Sequence, residues 1–437
     1  IQDDAYNVVI KKAGSRGAED HAPVMLQGHM DMVCEKRAGV EHDFEKDGLD
    51  LIIRDGRLTA NGTTLGGDNG VAVALMLMVL DDDEIEHPPV ECVFTTEEEV
   101  GLNGAKALDK SVLKARTMIN MDSEDEGVAT VSCAGGLRVQ FTKEIQRTTV
   151  QGSLLTLKVE GLLRGHSGQD IDKERQNADL LMARMIQRLL KETKGQLVSF
   201  NGGTKDNAIP RECEASLIYE SDEEAAKAEE LACELAETYA EELTPAEPDF
   251  SCEISCETNR TAEAIPQDAA KEFICAMRLA PNGIQKRNIK MDGFVVVSLN
   301  LGVVRTEEDR IVMIFSPRSS VASLQEDTKE RLNTLAETFG FTVSHSSEYP
   351  GWSFKEDSPV REICKESYKE LFGEDLKIEA IHAGLECGLF SDAIKGLDAI
   401  AIGPTIANCH TPDEYLTLDS FERFYEFLKD ILSRLAK

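Results

Sequence analysis

Between Tyr6 and Gly136 short apolar runs alternate with stretches of helical periodicity. Residues 7–11, 24–26, 90–95 and 117–121 are too short for helices and read as buried strands between polar boundaries. The longest apolar run, Val71 to Leu80, reads as a buried helix over 70–80, and a shorter helix is expected over 102–108. The segment closes in the turn-like Cys133-Ala134-Gly135-Gly136. Strands alternating with helices predict an α/β layer with a mixed, mostly parallel sheet flanked by helices.

The middle of the chain changes its pattern. Residues 154–160 alternate as a half-exposed strand, 177–190 carry a helical apolar stripe, and 197–200 and 212–219 are strand-like. A long acidic helix is expected over 222–242 and a strand over 250–254. This order, β-α-β-β-α-β, is the split-βαβ arrangement with an antiparallel sheet. It recurs as a helix over 268–279, strands over 294–304 and 310–316, a helix over 321–339 and a strand over 341–346. Two related halves of one α+β domain are therefore expected over 136–351. After Tyr349-Pro350-Gly351-Trp352 the α/β pattern returns, with a buried strand over 399–402 and an amphipathic helix over 416–435. Leu418, Phe421, Phe424, Leu428, Ile431, Leu432 and Leu435 keep to one face of that helix. Residues 352–437 should complete the sheet begun by residues 1–135, with the α+β domain inserted between them.

A length of 437 residues allows two or three domains. A formal charge of −33, from 47 basic and 80 acidic residues, argues against nucleic acid and anionic membrane surfaces as partners. No apolar window reaches the length of a membrane helix. Eleven cysteines without a repeating spacing argue for a reducing compartment, the cytoplasm, rather than a disulfide framework. The chain opens mid-pattern at Ile1 with no signal peptide, so a preceding segment is expected.

Candidate chemistry gathers where strands end. His29 and Asp31 follow the run Val24-Met25-Leu26-Gln27-Gly28, and two residues apart in extended chain face one side. Asp68 lies in Gly66-Gly67-Asp68-Asn69-Gly70 before the buried helix, where a plain N-cap is the alternative. Glu97-Glu98-Glu99 follow the strand over 90–95; they form either a cation site or an exposed charged loop. Asp122 stands just beyond the strand over 117–121, and His410 lies in the loop after the strand over 399–402. In open α/β sheets ligands bind beyond the carboxyl ends of strands. His29, Asp68, Glu99, Asp122 and His410 together suit two borderline divalent metals with one carboxylate bridging.

These motifs, with Gly62-Thr63-Thr64-Leu65, Gly165-His166-Ser167-Gly168, Asn201-Gly202-Gly203-Thr204, Asn207-Ala208-Ile209-Pro210, His382-Ala383-Gly384-Leu385-Glu386-Cys387-Gly388 and Ile402-Gly403-Pro404-Thr405, bring a family into view. The chain resembles the co-catalytic zinc peptidases that include carboxypeptidase G, aminoacylases and dipeptidases. The resemblance implies an inserted lid over 136–351 and hydrolysis of dipeptides, notably those ending in His, with deacylation of N-acyl amino acids as the alternative. It implies two divalent cations, zinc with manganese or cobalt as alternatives, a small peptide as partner, and a homodimer. By carry-over Asp68 bridges, His29 and Asp122 hold one cation, and Glu99 and His410 hold the other. Asp31 steers His29, Glu98 is the general base, and His166 donates to the oxyanion. Asn207 and Arg318 bind the substrate's backbone and terminal carboxylate, with a surface ion pair as the alternative for Arg318. Glu386 joins them as a substrate contact, with a structural role for it and for His382 left open. Cys409 stands before His410 where relatives carry other small residues, and as a soft ligand it bears on which metal binds.

Overall fold

In the computed structural model, which describes residues 1–289 and 293–437, the run opening at Val24 becomes an interior strand of a seven-stranded sheet. The order is Val8–Lys12, Val90–Thr95, Val24–His29, Thr117–Asn120, Asp398–Ala401, Val128–Cys133 and Lys377–Ile381. Val24–His29 pairs in parallel with Val90–Thr95 and Thr117–Asn120. Asp398–Ala401 continues the parallel run, and Val8–Lys12 closes one edge antiparallel. The mixed, mostly parallel sheet flanked by helices is the expected architecture. Two adjacent interior strands, Val24–His29 and Val90–Thr95, are buried along their full length, as parallel strands covered on both faces must be.

The strand expected over 24–26 runs on through Gln27 and Gly28 to His29. A polar Gln ends an apolar run on paper, but here Gln27 is wholly buried and hydrogen-bonded. Gly28 is required by packing: a Cβ there would lie 2.3 Å from that of Ala72 on the helix Gly67–Asp81. That helix covers the expected 70–80, although Leu77 within it is half exposed. The tail helix Leu418–Leu435 buries Phe424, Phe427, Leu428, Ile431 and Leu432.

Ile1–Cys133 and Pro350–Lys437 form one compact unit, and Ala134–Tyr349 forms a second. Cys133 to Gly136 is not a turn. The strand Val128–Cys133 ends and Gly135–Glu144 begins with Ala134 alone between them, at the boundary of the two units. The first unit also carries a small antiparallel sheet, ordered Ile406–Ala407, Tyr415–Thr417, Arg57–Ala60 and Leu51–Arg54. It joins the base of the loop bearing His410 to the strand that leads into the loop bearing Asp68.

The second unit's main sheet is antiparallel throughout. Its first four neighbours are Ser251–Ala264, Thr148–Glu160, Cys213–Tyr219 and Gln196–Gly202; the next four are Val295–Thr306, Arg310–Ser319, Gly135–Glu144 and Thr342–Tyr349. Taken in chain order within each set, the two quartets have the same arrangement, meeting where Gly202 pairs with Val304. The strand expected over 250–254 extends instead to Ala264, with a bulge between Glu257 and Arg260. Its outer half is exposed and polar, so it lacks the apolar signal of a strand. Helices Ala178–Glu192, Asp222–Leu243 and Gln267–Leu279 bury Met182, Ile186, Ala228 and Phe273 in the core of this unit, with Phe200 and Phe315 from its sheet.

Candidate metal centre

The strand ends of the first unit deliver the candidate ligands. His29 closes its strand and is 1 % exposed, with Nε2 3.0 Å from Asp68 Oδ1 and 3.5 Å from Asp122 Oδ1. Its Nδ1 lies 3.0 Å from the carbonyl oxygen of Asp31. A carbonyl only accepts, so Nδ1 carries the proton and the Nε2 lone pair faces the two carboxylates. Such a lone pair is repelled unless a second proton or a metal cation lies between. Burial opposes protonation of His29, but Asp122, Asp31 and Asp68 outweigh it and hold its pKa far above the usual imidazole value.

Asp68 sits at a second junction. Its other oxygen, Oδ2, is 3.2 Å from His410 Nε2, which in turn lies 2.9 Å from Glu99 Oε1. Asp68 is not a helix cap. Gly66 holds that position, and Asp68 itself has non-helical backbone. Gly66 adopts φ 68°, and a Cβ there would meet Met32 Sδ at 2.7 Å. Burial opposes ionisation of Asp68, but His29 and His410 hold its pKa well below the usual carboxylate range. The hydrogen bond that His410 donates to Asp68, against burial and with the charge of Glu99, raises His410 to about 9. Burial, followed by the charge of Asp122, pushes Glu98 up to about 8.

The three groups His29–Asp68–Asp122, His29–Glu98–Glu99 and Asp68–Glu99–His410 each bring one ligand atom per residue within 4.8 Å of the others. Carboxylates outnumber imidazoles, and the raised pKa values of His29, His410 and Glu98 answer a shortage of positive charge. The residues therefore fit two divalent cations, with hard carboxylate and borderline imidazole donors. Asp68, Glu124 and Cys409 form a further group of the same size.

Several of the supporting contacts are not legible in the sequence. Both oxygens of Asp31 accept backbone N–H groups, Oδ1 from Glu98 and Oδ2 from Glu99, each at 3.1 Å. Asp31 thus holds the Glu pair as well as His29. Asn69 Nδ2 donates to Asp122 Oδ1 at 2.7 Å. Glu414, 1 % exposed, accepts from Leu65 N at 2.8 Å, Gly66 N at 3.0 Å and Asp68 N at 3.2 Å. Its only sequence signal is its place in the motif after His410.

Glu386, expected among the substrate contacts, is wholly buried at the start of the helix Glu386–Ala393. It accepts from Gln27 and Thr95 and presents no surface to a ligand in this structure. His382 is also buried, just after the strand Lys377–Ile381.

In the second unit, His166 Nδ1 accepts from the backbone N–H groups of Gly168 at 3.2 Å and Gln169 at 3.0 Å. The neutral ring therefore carries its proton on Nε2. Burial and the neighbouring Arg318 lower the His166 pKa to about 4, so the ring is neutral at pH 7. Arg318 is 6 % exposed and donates to Tyr349 Oη at 3.0 Å and Ser167 Oγ at 3.4 Å. No ion pair to Arg318 occurs among the described residues, so it is not a surface ion pair. Asn207 is exposed, and its carbonyl accepts from Ser167 N at 2.8 Å, which sets it beside His166. His166 and Asn207 line a cleft of ≈ 1090 Å³ with Arg164, Arg175 and Arg305.

A parallel sheet with paired imidazole–carboxylate clusters beyond its strand ends is the architecture of a metallohydrolase. Comparison with known proteins takes this further. The model of Peptidase family M20/M25/M40 matches residues 25–434, and the chain belongs to that family. It is 34 % identical to the cytosol non-specific dipeptidase of Escherichia coli (strain K12), over 99 % of this chain and 90 % of that protein. The crystal structure of aminoacylhistidine dipeptidase from Vibrio alginolyticus matches with TM-score 0.93 and 36 % identity, covering 99 % of this chain and 89 % of that one. Aminopeptidase PepT from Bacillus cereus shares the fold, with TM-score 0.55 at 17 % identity over 100 % of this chain and 88 % of that one.

Proposed function

We propose that this protein is a metal-dependent dipeptidase, with broad specificity that includes dipeptides ending in His. The observation that carries the mechanism is Asp68, which turns one oxygen to His29 and the other to His410. Shared between the two clusters, it would be the bridging ligand; His29 and Asp122 would complete one site, and Glu99 and His410 the other. Two cations, zinc or else manganese or cobalt, would be held by these residues and would supply Lewis acidity, bringing the pKa of water there toward ~7 and polarising the peptide carbonyl. Glu98, adjacent to the ligand Glu99 but left free, takes the water's proton and passes it to the leaving amine. Its raised pKa suits a group that must gain and then lose a proton near neutrality. Asp31 fixes the backbone on which both glutamates ride. His166, neutral with its proton on Nε2, is a donor for the oxyanion. Arg318, buried and without a carboxylate partner among the described residues, suits the substrate's terminal carboxylate, and Asn207 its backbone.

The cytoplasm is the proposed compartment, the Escherichia coli relative being named for the cytosol. Among the described residues no helix is long and apolar enough to cross a membrane. A homodimer is the proposed assembly, decided by sedimentation velocity. The reaction is tested by stripping the protein with a chelator and assaying dipeptides beside N-acyl amino acids before and after adding Zn²⁺ or Mn²⁺. Dipeptide hydrolysis lost and then regained supports the proposal. Full activity without metal, or activity confined to N-acyl amino acids, refutes it.

A further inference from the structure

Beneath the candidate ligands lies a layer of wholly buried polar side chains that the reaction does not use. Gln27, Thr95 and Asn120 stand at or near the carboxyl ends of three adjacent strands. Gln27 precedes His29 by two residues, Thr95 precedes Glu98 and Glu99, and Asn120 precedes Asp122 by two. One residue from far along the chain closes the layer. Glu386 Oε2 accepts from Gln27 Nε2 at 2.5 Å and from Thr95 Oγ1 at 2.7 Å.

The chemistry of these groups gives the layer a direction. Oε2 of Glu386 is the acceptor for both donors, so Gln27 turns its NH₂ toward Glu386, and its carbonyl oxygen faces the other way. That oxygen accepts from Asn120 Nδ2 at 2.6 Å. Asn120 in turn has its Oδ1 toward the backbone N–H of Asp122, at 3.2 Å. Without the carboxylate, both amides are free to flip. A flipped Asn120 would set its NH₂ against the N–H of Asp122, donor against donor, and push that residue away from His29.

We infer that Glu386 is the positioning residue for the metal centre, orienting the Gln27–Asn120 relay so that Asp122 stands at its ligand position. The inference rests on the two-cation reading above and deepens it. Glu386 touches neither substrate nor cation; it acts through Gln27, Thr95 and Asn120.

The test uses the full-length protein loaded with Co²⁺, whose visible absorption reports ligand geometry. E386L removes the acceptor, whereas E386Q keeps one acceptor oxygen for Gln27 and Thr95. E386L should lower Co²⁺ affinity by about 10- to 100-fold, the usual effect of losing an outer partner of a ligand, and should alter the spectrum. E386Q should keep the wild-type spectrum and an affinity close to wild type. An E386L protein with a lowered melting temperature but unchanged affinity and spectrum overturns the inference, since Glu386 would then only support the fold. An E386Q protein as impaired as E386L overturns it too, because charge and not hydrogen-bond direction would be at work. Should E386L fail to fold, T95V removes one donor to Glu386 without altering charge; it should shift the spectrum in the same direction, and an unshifted spectrum counts against the inference. Wild-type protein that takes up fewer than two equivalents of Co²⁺ refutes the two-cation reading itself, an outcome separate from any behaviour of the variants.

Discussion

Glu414→Ala tests whether the geometry around Asp68 is built as described. The Glu414 carboxylate accepts three backbone N–H groups, from Leu65, Gly66 and Asp68, at 2.8, 3.0 and 3.2 Å. It is the clamp that holds the Gly66–Asp68 loop, and with it the carboxylate shared by both clusters. Leaving a buried donor unpaired costs about 1–3 kcal/mol. Three such donors set an upper range of about 3–9 kcal/mol if the loop stays in place. The loop has another course, which is to move until water reaches those groups, so the loss should sit near the lower end. A loss of about 3 kcal/mol, taken from the placement of Asp68, lowers cation affinity by roughly two orders of magnitude. Glu414→Gln makes the finer point. Leu65 and Gly66 both bond Oε2, and an amide oxygen can still serve them; only the Asp68 N–H, bound to Oε1, then faces an NH₂ group. That single mismatch costs about 1–3 kcal/mol, or roughly 5- to 150-fold in affinity. Competition for Zn²⁺ against a chromophoric chelator measures both variants. Two wild-type affinities in Glu414→Ala, with the fold intact by circular dichroism, would refute the clamp.

Glu98→Gln should cut turnover by roughly 10²–10⁴-fold with metal content unchanged, while Glu99→Gln should lower metal content; exchanged phenotypes would mean the pair is assigned in the wrong order. His166, with its pKa lowered to about 4 from an ordinary 6.5, binds fewer protons folded than unfolded between those values. Its contribution to stability is therefore complete above pH 6.5 and lost as the pH falls toward 4; NMR titration of the imidazole checks this, and a midpoint near 6.5 contradicts it. Arg318→Ala should weaken binding of free dipeptides and abolish the preference for them over dipeptide amides, measured as kcat/KM. Equal cleavage of acid and amide by the unaltered enzyme would remove Arg318 as the anchor. Recognition of the terminal carboxylate should also make tripeptides poorer substrates than dipeptides, which a side-by-side hydrolysis assay tests.

What could be read from the chain alone were features whose signal is local. Val90–Thr95 is a run of mostly apolar residues with a polar boundary, and its limits as a strand agree with the expectation. The class of the fold followed from the alternation of such runs with helical stretches. His29, Asp68, Glu99, Asp122 and His410 stood out because imidazoles and carboxylates cluster where strands end, and the structure brings all five together. Features that depend on a distant partner were not legible. The exposed strand Leu51–Arg54 and the polar outer half of Ser251–Ala264 carry no buried stripe, and only strand pairing makes them strands. Glu414 looks in the sequence like any other acidic residue of a chain with a charge of −33, and the motif around Glu386 marks that residue without giving its task. Burial gives each its task, Glu414 at the backbone of the Asp68 loop and Glu386 under the strand ends. A buried carboxylate is tolerated only where donors converge on it, and those donors lie hundreds of residues away in the chain, so only the tertiary structure could decide which acids would become part of the frame of the metal centre.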